Sequence, residues 1–200
     1  MGALSGWWRS LASMIVVALA AAAGYADVAS AQSTPLAERV KQCAACHGED
    51  GNSRMPNIPS LAGQPEFFVM NQLFIMREGV RRIEAMMPLV KDLSDDELQG
   101  LAKHFSALAP RASEAAIDPA LVTRGVELAA KLRCGSCHLP TLAGQDQMPR
   151  LAKQRLDYLI KALKEFRDNT RSAADTLMST VVAGLSDADL VALAHYAVSR

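Results

Sequence analysis

Two pentapeptides carry the chemistry of this chain: Cys43-Ala44-Ala45-Cys46-His47 and Cys134-Gly135-Ser136-Cys137-His138, which between them hold all four cysteines of its 200 residues. Both read C-x-x-C-H, the attachment pattern for a c-type haem. Each thiol adds to one vinyl group of the ring. Two intervening residues on a helical turn set the sulfurs at the required separation, and the histidine that follows lies under the iron and donates an imidazole nitrogen. Cys43, Cys46, Cys134 and Cys137 are therefore the expected attachment points of two covalent haems, with His47 and His138 as iron ligands. The rival chemistries fit less well. A thioredoxin-like redox pair needs a βαβ context, a zinc site made from two C-x-x-C pairs normally has them closer together, and structural disulfides do not explain the two histidines.

The segments around these motifs repeat, and the repeat says which elements position them. Pro59-Ser60-Leu61-Ala62-Gly63-Gln64 follows the first motif, and Pro149-Arg150-Leu151-Ala152-Lys153-Gln154 follows the second. An amphipathic helix is expected after each. Its apolar face is Leu156, Leu159, Ile160, Leu163 and Phe166 in the second half, and Phe67, Met70, Phe74 and their neighbours do the same job in the first. Ser94 and Ser186 then read as N-caps of a last helix, each with an acid three residues on. No β-rich alternating run occurs, so the expected class is all-α.

A second axial ligand is needed opposite each histidine, and neutral His/Met ligation stabilises ferrous iron. Met178 is the only methionine between Gln154 and Leu185, seven residues before Leu185, and Met86 stands seven residues before Leu93. Their shared register makes Met86 and Met178 the expected ligands, with neighbouring Met87 the rival in the first half. His104 and His195 fall out of step with each other and are set aside.

The rest of the sequence frames these sites. Residues 1–31 read as a cleaved secretory leader: one cation at Arg9, an apolar run from Leu11 to Ala23, and a small-x-small ending Ala29-Ser30-Ala31. That run falls short of the roughly 20 residues a membrane span takes, so the mature chain is expected to be exported without a span. Ala109-Pro110-Arg111 through Asp118-Pro119 marks a linker, giving domains 32–110 and 119–200 joined by 111–118, with Asp118 capping the next helix and Pro119 in its first turn. Lys plus Arg and Asp plus Glu are both 21, which leaves no cationic excess for nucleic acid. The halves carry 9 cations against 10 acids and 11 against 10, too even to point to a docking face.

With these residues in view, the chain resembles the dihaem class I cytochromes c of the cytochrome c4 type. The likeness lies in Cys43–Gly48 with Asp50-Gly51-Asn52-Ser53, in Leu61-Ala62-Gly63-Gln64, in Arg124-Gly125 with Leu128-Ala129, and in the two Leu-Ser-Asp helix starts. It departs at Leu139-Pro140, where the family usually has glycine after the histidine, at His104, where it usually has tyrosine, and in the two methionine loops. The resemblance implies two tandem cytochrome c domains, each a small helical fold around one haem, with the haems facing each other through their propionate edges and a histidine and a methionine on each iron. It implies a periplasmic electron carrier of a respiratory chain, between a quinol–cytochrome c reductase and a terminal oxidase. A dihaem subunit of a larger flavocytochrome or quinoprotein dehydrogenase is the alternative. A dihaem peroxidase, which needs an open iron and an acid–base residue, fits less well.

Overall fold

The computed structural model describes residues 35–173 and 175–200; the leader expected over 1–31 lies outside them. The described residues form nine helices and no strand, with one isolated bridge between Gln145 and Met148. The first half contains α1 (Leu36–His47), α2 (Glu66–Arg77), α3 (Met87–Val90) and α4 (Asp95–Ser106). The second contains α5 (Pro119–Lys131), α6 (Gly135–His138), α7 (Leu156–Arg167), α8 (Thr176–Val182) and α9 (Asp187–Val198). No single helix among the described residues is long and apolar enough to cross a membrane.

Each half is organised by the crossing of its first and last helices. The last helices start with capping boxes at Ser94 and Ser186: each hydroxyl accepts from the backbone N–H three residues on, and the acid there accepts from the serine N–H. The same acids hold the first helices. Arg39 on α1 pairs with Glu97 at 2.8 Å, and Arg124 on α5 pairs with Asp189 at 2.6 Å. A charge thus neutralises the exposed N–H groups of one helix while fixing the position of another. Asp118 caps α5, accepting from the Ala120 N–H at 2.8 Å, and Pro119 stands in the first turn. At the α5–α9 crossing a Cβ on buried Gly125 would lie 2.3 Å from the Ala192 carbonyl oxygen, so glycine allows the two backbones to meet.

Two buried clusters form. Val69, Leu73, Met76, Val90, Leu93, Leu98, Leu101, Ala102 and Phe105 make the first. Leu142, Ala152, Leu159, Ala194, Ala197 and Val198 make the second. The face of α2 differs from the sequence expectation. Val69, Leu73 and Met76 point into the core and Met70 packs against it as expected, while Phe67 and Phe74 are 47% and 45% exposed. The helix is apolar on more than one side, so periodicity alone could not choose the buried face. In α7 the expected face holds, with Leu159 buried and Leu156, Ile160 and Leu163 packed against the second cluster.

The halves meet through loops. Gln64 donates from Nε2 to the Arg150 carbonyl at 3.0 Å and accepts at Oε1 from the Arg150 N–H at 2.9 Å. Gln154 does the same to Ser60, at 2.9 and 2.7 Å. Because Gln64 matches Gln154 and Ser60 matches Arg150 in the repeat, the clasp has approximate twofold symmetry. Arg150 also reaches the Ala62 carbonyl at 2.8 Å, and Arg155 reaches the Ser53 carbonyl at 3.1 Å.

Candidate haem-binding site

Helix α1 carries Cys43, Cys46 and His47 in its last turns and ends at Gly48, whose φ is 86°. A side chain there would put its Cβ 2.4 Å from the Asn52 carbonyl oxygen, so only glycine lets the chain turn back over the motif. In the second half the motif winds around the short helix α6, and Leu139 takes the glycine's place with φ 67° and ψ 156°. That conformation is essentially a glycine preserve, and Leu139 stores strain in it.

Both motif histidines are buried and identically held. The Nδ1–H of His47 donates to the Pro59 carbonyl at 2.8 Å, and that of His138 donates to the Pro149 carbonyl at 2.8 Å. A carbonyl can only accept, so each ring carries its proton on Nδ1 and keeps the Nε2 lone pair for a metal. Burial holds both rings below the ordinary histidine range, partly opposed by the proline carbonyl. They are therefore neutral at pH 7, as ligation requires. None of the four cysteines forms a disulfide. Burial pushes Cys43 and Cys134 upward in pKa, with Arg39 partly offsetting this at Cys43.

The loop after the first motif is tied down by short polar side chains. Ser53 donates from Oγ to the Cys46 carbonyl at 3.0 Å. Asn52 donates to the Ala109 carbonyl at 3.1 Å and accepts from the Arg111 N–H at 2.9 Å, pinning the start of the linker to the haem loop.

Uncompensated positive charge lies near the meeting of the halves. Arg81 and Arg150 are 9% and 4% exposed, and neither has an ion-pair partner among the described residues. Burial pushes the Arg150 guanidinium down to about 10, and its Nε finds no hydrogen-bond partner. Arg81 donates to Gln72 at 2.5 Å; burial and the like charge of Arg171 both lower its pKa. Arg171, its counterpart in the repeat, bonds Glu165 and the Tyr158 hydroxyl. Buried cations with an orphaned donor suit an anionic group. Together with two thiols and one neutral imidazole per half, these residues fit a covalent haem with its propionates.

Met86 is half-buried and packs against the first cluster, as Cys43 does, immediately before α3; Met87 is the first residue of that helix and also half-buried. Met178 does not lie on a loop, as its approach to the last helix suggested. It is half-buried on α8, where Asp175 caps the helix by accepting from the Leu177 N–H at 2.8 Å. His195 is buried and accepts at Nδ1 from the Asp118 N–H at 3.2 Å, so it anchors the start of α5. His104 packs edge-on against Phe105 with Nε2 unpartnered. Sequence reasoning missed Arg81, Arg150 and Arg171 and the role of the two glutamines. Only the Pro-x-Leu-Ala-x-Gln repeat signalled the last.

Comparison with known proteins agrees with this geometry. Residues 33–104 match the family model described as cytochrome c oxidase, cbb3-type, subunit III, and residues 122–199 match the model for cytochrome c. Two tandem cytochrome c domains, each with its own Cys-x-x-Cys-His site, make the chain a dihaem cytochrome c carrying two covalent haems. Cytochrome c4 of Pseudomonas aeruginosa is 34% identical over 91% of this chain and 96% of its own length. The crystal structure of reduced recombinant cytochrome c4 from Pseudomonas stutzeri superimposes with a TM-score of 0.73 at 35% identity, over 80% of this chain and 94% of that one. A protein of Thiomonas intermedia named thiosulfate dehydrogenase electron acceptor is 30% identical over 79% of this chain and 78% of its own length. The chain belongs to the cytochrome c4 family and is an electron carrier of that type.

Proposed function

We propose that the chain is a periplasmic carrier that passes single electrons through a respiratory chain towards a terminal oxidase, as domains 32–110 and 119–200 joined by linker 111–118. His47 and His138 would ligate the two irons, with Met86 and Met178 as their second protein ligands. The observation that carries this reading is the matched pair of proximal histidines, each with Nδ1–H fixed on a proline carbonyl and Nε2 free. Bound haem supplies a one-electron Fe(III)/Fe(II) couple. The chain's own residues hold it by two thioethers, orient the imidazole, and present buried guanidinium groups to anionic substituents. With two protein ligands each, the irons would have no open position for substrate chemistry. The leader read over residues 1–31 supports export, and c-type attachment by the four cysteines is compatible with it.

The relative named as an electron acceptor of thiosulfate dehydrogenase favours a second reading in which the donor is a periplasmic dehydrogenase. The two share the same site and differ in who reduces it. Purified holoprotein should carry two haems per chain and show low-spin six-coordinate spectra in both oxidation states. Cys43→Ala with Cys46→Ala should remove one haem and leave the other. Stopped-flow reduction by a quinol–cytochrome c reductase, against reduction by a thiosulfate-oxidising dehydrogenase, separates the donors. A ratio of one haem, or a high-spin ferric spectrum in the wild type, would overturn the assignment.

A further inference from the structure

The two interdomain glutamines touch the peptide units that hold the proximal histidines, each in the opposite half. The Pro59 carbonyl accepts from His47, and the N–H of the same peptide unit, that of Ser60, donates to Gln154 Oε1 at 2.7 Å. The Pro149 carbonyl accepts from His138, and the N–H of that unit, on Arg150, donates to Gln64 Oε1 at 2.9 Å. The orientation of each amide is unambiguous: its oxygen faces a backbone N–H, while its nitrogen donates to the carbonyl of the same residue, Arg150 for Gln64 and Ser60 for Gln154. Gln154 Oε1 accepts a second bond, from its neighbour's Arg155 N–H at 2.9 Å. His47, Ser60, Gln64, His138, Arg150 and Gln154 are all buried, between 2% and 6% exposed.

We propose that Gln64 and Gln154 are positioning residues that tune the proximal histidine of the opposite domain, so that each haem's potential is set partly from across the interface. This rests on His47 and His138 being the iron ligands. In each half the links form one line: Nδ1–H to carbonyl, through a single trans peptide, and N–H to glutamine oxygen. Hydrogen bonds in such a chain polarise one another, by about 10–30% per bond in a low-dielectric interior. A glutamine oxygen that draws on the N–H makes the carbonyl of the same peptide a better acceptor. The carbonyl then draws harder on Nδ1–H, and the imidazole becomes a more basic ligand. A more basic ligand favours ferric iron, so the glutamine lowers the potential of the haem in the other half. A staple that only joined the halves could bond any pair of surface loops. These glutamines bond the one peptide unit in each domain that leads to the iron ligand.

The test is done on holoprotein carrying Gln64→Met or Gln154→Met, a substitution of similar length that neither donates nor accepts strongly. Spectroelectrochemical titration reads the potentials. Proton NMR assigns each haem through contacts of its methyl groups with residues of its own half, and reads the Nδ1–H of each proximal histidine in the reduced form. Gln64→Met should raise the potential of the haem on Cys134 and Cys137 and move the His138 Nδ1–H upfield, leaving the first haem unchanged. Gln154→Met should do the reverse, raising the haem on Cys43 and Cys46 and moving His47. The variants are independent arms, so failure of one to fold leaves the other. Equal movement of both haems in either variant is the signature of a loosened, wetter interface and overturns the proposal. So does movement confined to the mutated half, or no movement. If the wild type shows no histidine Nδ1–H in contact with a haem, the ligand assignment fails instead, which is a separate result.

Discussion

Replacing Gly125 by alanine should destabilise the domain that holds Cys134, Cys137 and His138, although alanine is the better helix former. The new Cβ would lie 2.3 Å from the Ala192 carbonyl oxygen and 2.5 Å from the Tyr196 Cβ. Ordinary contacts start near 3.4 Å, so α5 and α9 must part by about 1 Å, and the atoms in the way are main chain or bonded to it and have no rotamer to escape into. Overpacking of this kind costs about 3 kcal/mol at its upper end, against about 1 kcal/mol gained in helix propensity. The net loss of about 2 kcal/mol corresponds to a melting temperature about 8–16 °C lower for a domain of this size, and about half that if both domains melt together. Gly100, at the matching crossing of the first half, predicts the opposite sign. A Cβ there meets only the tip of Leu36, at 2.9 Å, and Leu36 is 41% exposed and free to swing aside. Gly100→Ala should keep most of the propensity gain and raise the melting temperature by about 3–6 °C, or about half that if both domains melt together. Thermal unfolding of both holoprotein variants, followed by far-UV circular dichroism and the Soret band, decides it. A Gly125→Ala protein as stable as wild type would refute the close-crossing argument, as would shifts of the same sign in the two variants.

Met178→Ala should leave the haem attached by Cys134 and Cys137 but remove low-spin six-coordination at one iron and lower its potential, because a thioether stabilises the ferrous state; Met148→Ala should change neither the spectrum nor the potentials. Leu139→Gly should stabilise the second domain by about 1 kcal/mol in a denaturant titration, since relief of φ 67° strain exceeds the entropy cost of glycine; a loss of stability would mean that the Leu139 side chain matters more than its backbone. Burial pushes the Glu97 carboxyl up, but the Arg39 guanidinium and the Ser94 N–H outweigh it, so its folded pKa lies below the ordinary value. A depressed carboxyl stabilises the fold above its unfolded pKa, near 4.3, and that stability is lost as pH falls through the folded value. Glu97→Gln should therefore cost about 1 kcal/mol at pH 7, shrinking towards zero on acidification; a difference that persists at pH 2–3 would contradict it.

The sequence by itself determined whatever depends on local chemistry or register. The spacing of Cys43, Cys46 and His47 and of Cys134, Cys137 and His138 names the cofactor, because thioether attachment and axial ligation are fixed within one helical turn. The capping serines at 94 and 186 and the Asp118-Pro119 start were legible because a cap is a bond between neighbours in sequence. The buried side of α2 was not, because Phe67 and Phe74 are as apolar as Val69 and Leu73, and only packing against α4 chooses between them. Tertiary structure alone decided which residues act between the halves. Arg81 and Arg150 look like ordinary surface cations in sequence and become buried charges only when two domains close over them. Gln64 and Gln154 appear in the sequence as a repeat with no stated purpose. Their role depends on bonds to Arg150 and Ser60, 86 and 94 residues away, and a contact at that separation leaves no periodicity or spacing to read.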